Sequence, residues 1–295
     1  MTVAVLGLGG IGGMITARTG ALGVGTEQTV EAIRSSGLTL IHGGETTVSR
    51  PEVVTRLDRP VSLLVVAVKA YALDDAIERV GGDALTAAVV LPLLNGLEHV
   101  GAIRTRLEGV VVAGSIGSIE SFSPEPSVVV QRSTTAATIS AASDELDSDA
   151  LAAALEPLRV PGLEVVVVQG ERRVLWEKAA RLAVLSAGSI ASGLPVGGLR
   201  TDPAWRPRIQ AGLAEACVVA EEDGVELDVA SQWAIVESLP ENLVPSAARD
   251  AAVGRSTELD AITGSVVRAA RRLGVWTPML DGLLADAARR TEELK

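Results

Sequence analysis

The sequence predicts a two-domain α/β chain: a doubly wound parallel sheet over residues 1–169, then an all-helical domain over residues 170–295. Three observations predict it. Short, wholly apolar segments such as Leu63 to Val68 alternate with helical periodicity through the first half. Fully apolar strands between helices mean a parallel sheet covered on both faces. A glycine-rich turn separates the first strand from the first helix, and from Arg172 onward helical periodicity dominates.

The elements follow in order. Val3 to Leu6 reads as a short buried strand, and Ile11 to Leu22 as a helix. Residues 20–32 hold no convincing strand, so the second strand is either very short or lost, and a helix follows at 27–35. Short strands at 38–41 and 46–49 flank a Gly43-Gly44 turn. Leu63 to Val68 is a strand followed by a helix at 73–82, with further strands at Val89 to Leu91 and Val110 to Ala113. Strands near 126–131 and 134–139 extend the β-rich part, and Leu163 to Val168 is expected to close the sheet. The acidic stretch 141–149 reads as a loop and helix cap. Helices are expected at 172–193, 207–222, 245–252, 257–273 and 279–293, punctuated by prolines.

Composition narrows the function. Hydrophobic residues make up 47% of the chain, with charges scattered throughout, which is a globular pattern. No apolar run approaches the ~20 residues of a membrane span, and Met1 leads straight into a strand with no signal peptide. The formal net charge of −11 disfavours a nucleic-acid partner, and Arg271-Arg272 reads as a solvated helix face. Cys217, the single cysteine, excludes an internal disulfide, fits a reducing cytoplasmic setting and reads as a small buried residue. His42 and His99 lack ligand spacing, so no metal site is expected. Apolar helix faces at 207–222 and 257–273 suit a homodimer or the chain's own core equally well.

The glycine motif carries the chemistry. Gly7-Leu8-Gly9-Gly10-Ile11-Gly12 has the spacing GxGxxG between strand and helix. The first glycine permits the turn, the second lets backbone approach a pyrophosphate, and the third lets helix and strand pack closely. The helix start then offers unpaired N–H groups to phosphates. These residues are the predicted cofactor loop of a Rossmann-type domain. Arg18 and Arg34 are more simply read as surface residues than as phosphate ligands.

Further segments complete a set: Val66 to Tyr71, with Lys69 ending a strand; Leu94-Asn95-Gly96-Leu97; Trp176-Glu177-Lys178; Gly254 to Asp260; and Gly274-Val275-Trp276-Thr277-Pro278. In this order they resemble the ketopantoate reductase (2-dehydropantoate 2-reductase) family over nearly the whole chain. The resemblance implies a Rossmann domain, a helical domain, and reduction of a 2-oxo acid or related ketone with NADPH, NADH being left open. It implies Lys178 as the catalytic lysine, Glu258 as the acid completing the site and touching the cofactor, and Ser246 as a substrate-binding serine. Lys69 is implied as a cofactor-side residue, and Asn95 as a residue serving both cofactor and substrate. Where the family has asparagines one and two turns after the lysine, Leu182 and Ser186 stand here as the substrate-side residues.

The chemistry is coherent on its own terms. Hydride delivered to a ketone develops negative charge on its oxygen, which a lysine ammonium stabilises and protonates. Leu182 and the shortened 20–32 segment also support a second reading: a non-redox enzyme, catalysing a cyclisation or isomerisation in specialised metabolism, with cofactor binding weakened or lost. A third reading is a nucleotide-sensing binding protein, against which the Lys178, Ser246 and Glu258 set counts.

Overall fold

In the computed structural model, which describes residues 2–117 and 119–294, the chain opens with β1 (Val3–Leu6), α1 (Gly10–Thr19), β2 (Leu22–Val24), α2 (Glu27–Ser36), β3 (Leu38–His42) and β4 (Glu45–Ser49). It continues with β5 (Val53–Val54), β6 (Leu63–Val66), α3 (Leu73–Ile77), β7 (Val89–Pro92), α4 (His99–Arg104), β8 (Val110–Val111) and β9 (Ala113–Gly117). β10 (Ser121–Glu125), β11 (Val128–Gln131), β12 (Ala137–Ala142), α5 (Ser148–Leu155) and β13 (Leu163–Val167) complete the β-containing part. The helices α6 (Glu171–Ser192), α7 (Val196–Thr201), α8 (Trp205–Glu222), α9 (Val229–Ser238), α10 (Ser246–Ala252), α11 (Ser265–Leu273) and α12 (Pro278–Glu293) follow. The chain divides into Met1–Leu94 with His99–Val174, and Asn95–Glu98 with Leu175–Lys295.

The first unit is built on a six-stranded sheet of order β5-β2-β1-β6-β7-β8, every pair parallel. β2, β6 and β7 are buried along their whole length, as helices on both faces require. The second strand is therefore present and very short, not lost. Leu22-Gly23-Val24 has weak intrinsic strand character, because Gly23 contributes no side chain to pack. Its pairing fixes it instead: Ala4 to Leu6 lie alongside one edge and Val53-Val54 alongside the other. Gly23 is needed there, since an added Cβ would stand 3.0 Å from both δ-carbons of Leu8 and from Val53.

Two smaller sheets correct the predicted topology. β10-β11-β3-β4 forms one, in which Gly43-Gly44 makes the expected hairpin turn between β3 and β4. The order β13-β12-β9 forms the other, so the segment expected to close the main sheet pairs with β12 instead. The predicted helix at 73–82 is only α3 followed by turns, and the predicted first helix stops at Thr19, where Gly20 adopts φ +70°. Asp147 caps α5 through the amide of Ala150 at 2.8 Å, as the acidic loop suggested.

One ion pair holds the end of this unit. Glu171 is buried, and both its carboxylate oxygens accept from Arg104 at 2.6 and 2.7 Å. It also accepts from the Asp144 amide at 3.2 Å. Glu171→Ala is expected to lower unfolding free energy by about 2 kcal/mol, discounted for the part-exposed guanidinium it strands. Urea denaturation measures it, and Glu171→Gln should lose less because it keeps an acceptor.

The second unit packs its helices around a core that includes Trp176, Val184, Leu213, Val219, Ile262 and Leu283. Buried Trp176 donates its indole N–H to Asp223 at 2.9 Å, tying α6 to the end of α8. Cys217 is buried in this core, where burial pushes its thiol up to about 11, so the inert reading of it stands. The periodicity missed α7 and α9, which are short and flanked by proline or aspartate caps. No helix among the described residues is long and apolar enough to cross a membrane, and no cluster of metal-ligating side chains occurs among them.

Candidate active site

The predicted site residues fall into two groups. The first is the turn between β1 and α1. Gly7 has φ +95°, a left-handed conformation that only glycine adopts readily, and its amide donates to Val24 O at 2.9 Å. A Cβ at Gly7 would press on Val68 at 2.5 Å and on the Ala67 carbonyl at 2.9 Å, so this loop lies against the segment leading to Lys69. An added Cβ at Gly12 would overlap the carbonyl oxygen of Gly7. Gly9 differs: it is exposed, and an added Cβ there meets nothing.

That contrast is what a phosphate cradle requires. Gly7 and Gly12 close the turn, whereas Gly9 leaves bare backbone facing open space. α1 has no side-chain N-cap and no acidic residue in its first turn, so its N-terminal amides and dipole are available to an anion. Gly10 and Gly13 serve packing: a Cβ at Gly10 would stand 2.6 Å from Phe122 Cα, and one at Gly13 2.6 Å from Val129. Ser121 reinforces this by donating its hydroxyl to Gly10 O at 2.8 Å. Leu8 is buried with its side chain turned to β2, and Ile11 packs on the core, so only their backbones can face a ligand. Arg18 donates to Pro161 O and Gln131, and Arg34 to Val53 O. Both arginines are structural.

The second group lies in the helical unit. Lys178 stands on α6, and burial pushes its amine down to about 8; buried Glu258 opposes that shift and Arg181 adds to it. Arg181 is itself lowered, by burial first, and donates to the side-chain oxygen of Gln232. The structure thus brings Lys178 and Glu258 within electrostatic reach of each other. Leu182 is half-buried against the helical core and Ser186 is buried. Ser246 occupies the first turn of α10, half-buried.

A π-helical turn, Asp260–Gly264, begins two residues after Glu258. Buried Thr263 donates its hydroxyl to Ala183 O at 2.8 Å, fastening this turn to the helix that carries Lys178. π-turns recur at functional sites because they redirect side chains within a helix. The Asn95 loop sits on the same turn: Gly96 has φ +95°, and a Cβ on it would overlap the Ala261 carbonyl. Arg268 clamps the two, donating to Glu98 at 2.9 and 2.8 Å and to Asp260 at 2.7 Å. Sequence reasoning missed Thr263 and Arg268. Neither lies in a recognisable motif, and their roles depend on partners about 80 and 170 residues away.

Comparison with known proteins shows the family and the fold. Residues 3–144 match the family model "Ketopantoate reductase PanE/ApbA", and residues 172–289 match "Ketopantoate reductase PanE/ApbA C terminal". An uncharacterised oxidoreductase, YkpB, of Bacillus subtilis is 25% identical over 97% of each chain. The crystal structure of a PanE/ApbA family ketopantoate reductase from Ralstonia eutropha aligns with TM-score 0.86 and 25% identity, covering 100% of this chain and 99% of that one. D-mandelate dehydrogenase in a ternary structure with NADH and anilino(oxo)acetate has the same fold, with TM-score 0.87 and 22% identity over 100% and 99% of the two chains.

Proposed function

Because the chain belongs to the ketopantoate reductase family of oxidoreductases, we propose that it reduces a small 2-oxo acid with a nicotinamide cofactor and that Lys178 supplies the proton. The observation that carries this reading is the Lys178 amine, held near 8 beside Glu258. A lysine in that range is still mostly protonated at neutral pH, yet gives up its proton far more readily than a solvated one.

The residues of the β1–α1 turn fit the cofactor: Gly9 opens the cradle, and the uncapped start of α1 faces it with backbone amides. A bound reduced nicotinamide supplies the hydride. As negative charge grows on the carbonyl oxygen, the Lys178 ammonium stabilises it and transfers a proton from Nζ, which leaves a 2-hydroxy acid and a neutral amine. Glu258 keeps that amine charged until the transfer, and solvent protons restore it afterwards. Ser246 and Asn95 are the polar residues assigned to orient the substrate. Leu182 cannot hydrogen-bond, so the preferred substrate carries an apolar group where ketopantoate offers a hydroxyl; a site lacking that partner loses about 1–3 kcal/mol towards the hydroxylated acid.

The test is a screen of 2-oxo acids with apolar and hydroxylated side chains, followed by loss of reduced-nicotinamide absorbance. Turnover favouring the apolar acids is expected. Cofactor binding without turnover of any 2-oxo acid would sink the reading and leave the nucleotide-sensing one, whereas absence of cofactor binding would leave the non-redox alternative. That alternative now rests on Leu182 alone, since β2, whose loss was its other motive, is in place.

A further inference from the structure

The carboxyl end of β2 is set against the glycine loop. Gly7 donates to Val24 O at 2.9 Å, and an added Cβ at Gly25 would stand 3.1 Å from Leu8 Cδ1. In a sheet of order β5-β2-β1-β6-β7-β8, the residues just past this strand face the adenosine ribose of a dinucleotide. An acid there accepts from a free ribose hydroxyl, whereas a 2′-phosphate needs a cation.

Here the segment is Gly25-Thr26-Glu27, and Glu27 follows Gly7 by 20 residues. Glu27 is exposed in the first turn of α2. Thr26 caps that helix, accepting from the Thr29 amide at 3.4 Å and sharing a hydrogen bond with the Thr29 hydroxyl at 3.0 Å. The positive end of α2 is thus already served by a cap and a carboxylate, unlike the start of α1, which has neither.

The neighbouring cations are turned to other partners. Arg34 donates to Val53 O, Arg18 to Pro161 O and Gln131, Arg56 to Asp58 and Glu78 O, and Arg79 to Thr55 O. Arg50 precedes β5, at the opposite end of the parallel strands. Lys69 follows β6, on the far side of β1 from β2.

We propose that this chain selects NADH over NADPH, with Glu27 accepting a hydrogen bond from the adenosine ribose and repelling a 2′-phosphate. The proposal rests on the nicotinamide reading above.

Calorimetric titration of the full chain with NADH and with NADPH tests it, on the wild type, Glu27→Gln and Glu27→Arg. NADH is expected to bind at least about tenfold more tightly to the wild type, the scale of one unfavourable charge contact near a protein surface. Glu27→Gln should narrow the ratio, and Glu27→Arg should narrow it further or invert it. Glu27 is exposed, so Glu27→Gln should leave the melting temperature nearly unchanged, and Glu27→Arg, which sets a cation at the start of α2, should lower it by only a few degrees. NADPH binding as tightly as NADH in the wild type overturns the proposal, and so does a ratio that neither substitution moves. Binding of neither cofactor instead overturns the nicotinamide reading itself.

Discussion

Lys178→Ala is expected to slow reduction of an accepted 2-oxo acid by about 10²–10⁴-fold, the usual contribution of a positioned general acid. Nicotinamide affinity should stay within a few-fold, which separates lost proton transfer from lost binding. The wild-type pH profile gives the sharper test. Reduction needs the protonated amine, so the rate should be level below about 8 and fall as pH rises through that value. The reverse oxidation needs the neutral amine and should rise through the same range. Glu258 favours the charged form of Lys178 while burial opposes it. Glu258→Gln should therefore move the limb to lower pH, so that less of the enzyme is active at neutrality. A limb that stays fixed in Glu258→Gln, or that survives in Lys178→Ala, assigns the titrating proton to another group.

The second large effect is a separation between two glycines of one motif. Gly9→Asp is expected to lower nicotinamide affinity by a hundredfold or more, on the order of 3 kcal/mol, because a carboxylate would enter the phosphate cradle. The protein should nevertheless fold normally. A Cβ at Gly9 meets nothing, and this residue already occupies the N-cap of α1 in an extended conformation. Aspartate caps well, so stability should be unchanged or a few tenths of a kcal/mol higher. Gly12→Ala should behave oppositely. Its Cβ would overlap the Gly7 carbonyl, and relieving that clash must shift α1 or β1, at a cost of about 1–3 kcal/mol or more. Its affinity loss is expected to come with a lower melting temperature. Equal melting temperatures for the two variants would mean that the third glycine has no packing role.

Much of the candidate site was legible in sequence because its signals are local. GxGxxG at the end of a strand, a lysine shortly after another strand and Asn-Gly after a third are each read within a few residues. Gly7 and Gly96 both adopt φ +95°, and a turn that only glycine tolerates leaves a glycine in the sequence. Glu27 was overlooked for the same reason that β2 was doubted. A three-residue strand with a glycine at its centre has no periodicity of its own, so the acid beyond it had no strand end to be assigned to.

The sequence by itself determined the alternation of buried strands and helices, the change to an all-helical second half and the glycine turn between the first strand and the first helix. These depend on burial pattern and backbone conformation, both written residue by residue along the chain. Tertiary structure alone decided that β2 exists, that β13 pairs with β12 outside the main sheet, and that Lys178 lies close enough to Glu258 to feel its charge. It also decided that Arg268 and Thr263 hold the turn that follows Glu258. Strand pairing, desolvation of an amine and long-range hydrogen bonds are set by groups that meet only after the chain has folded, so no window of sequence contains them.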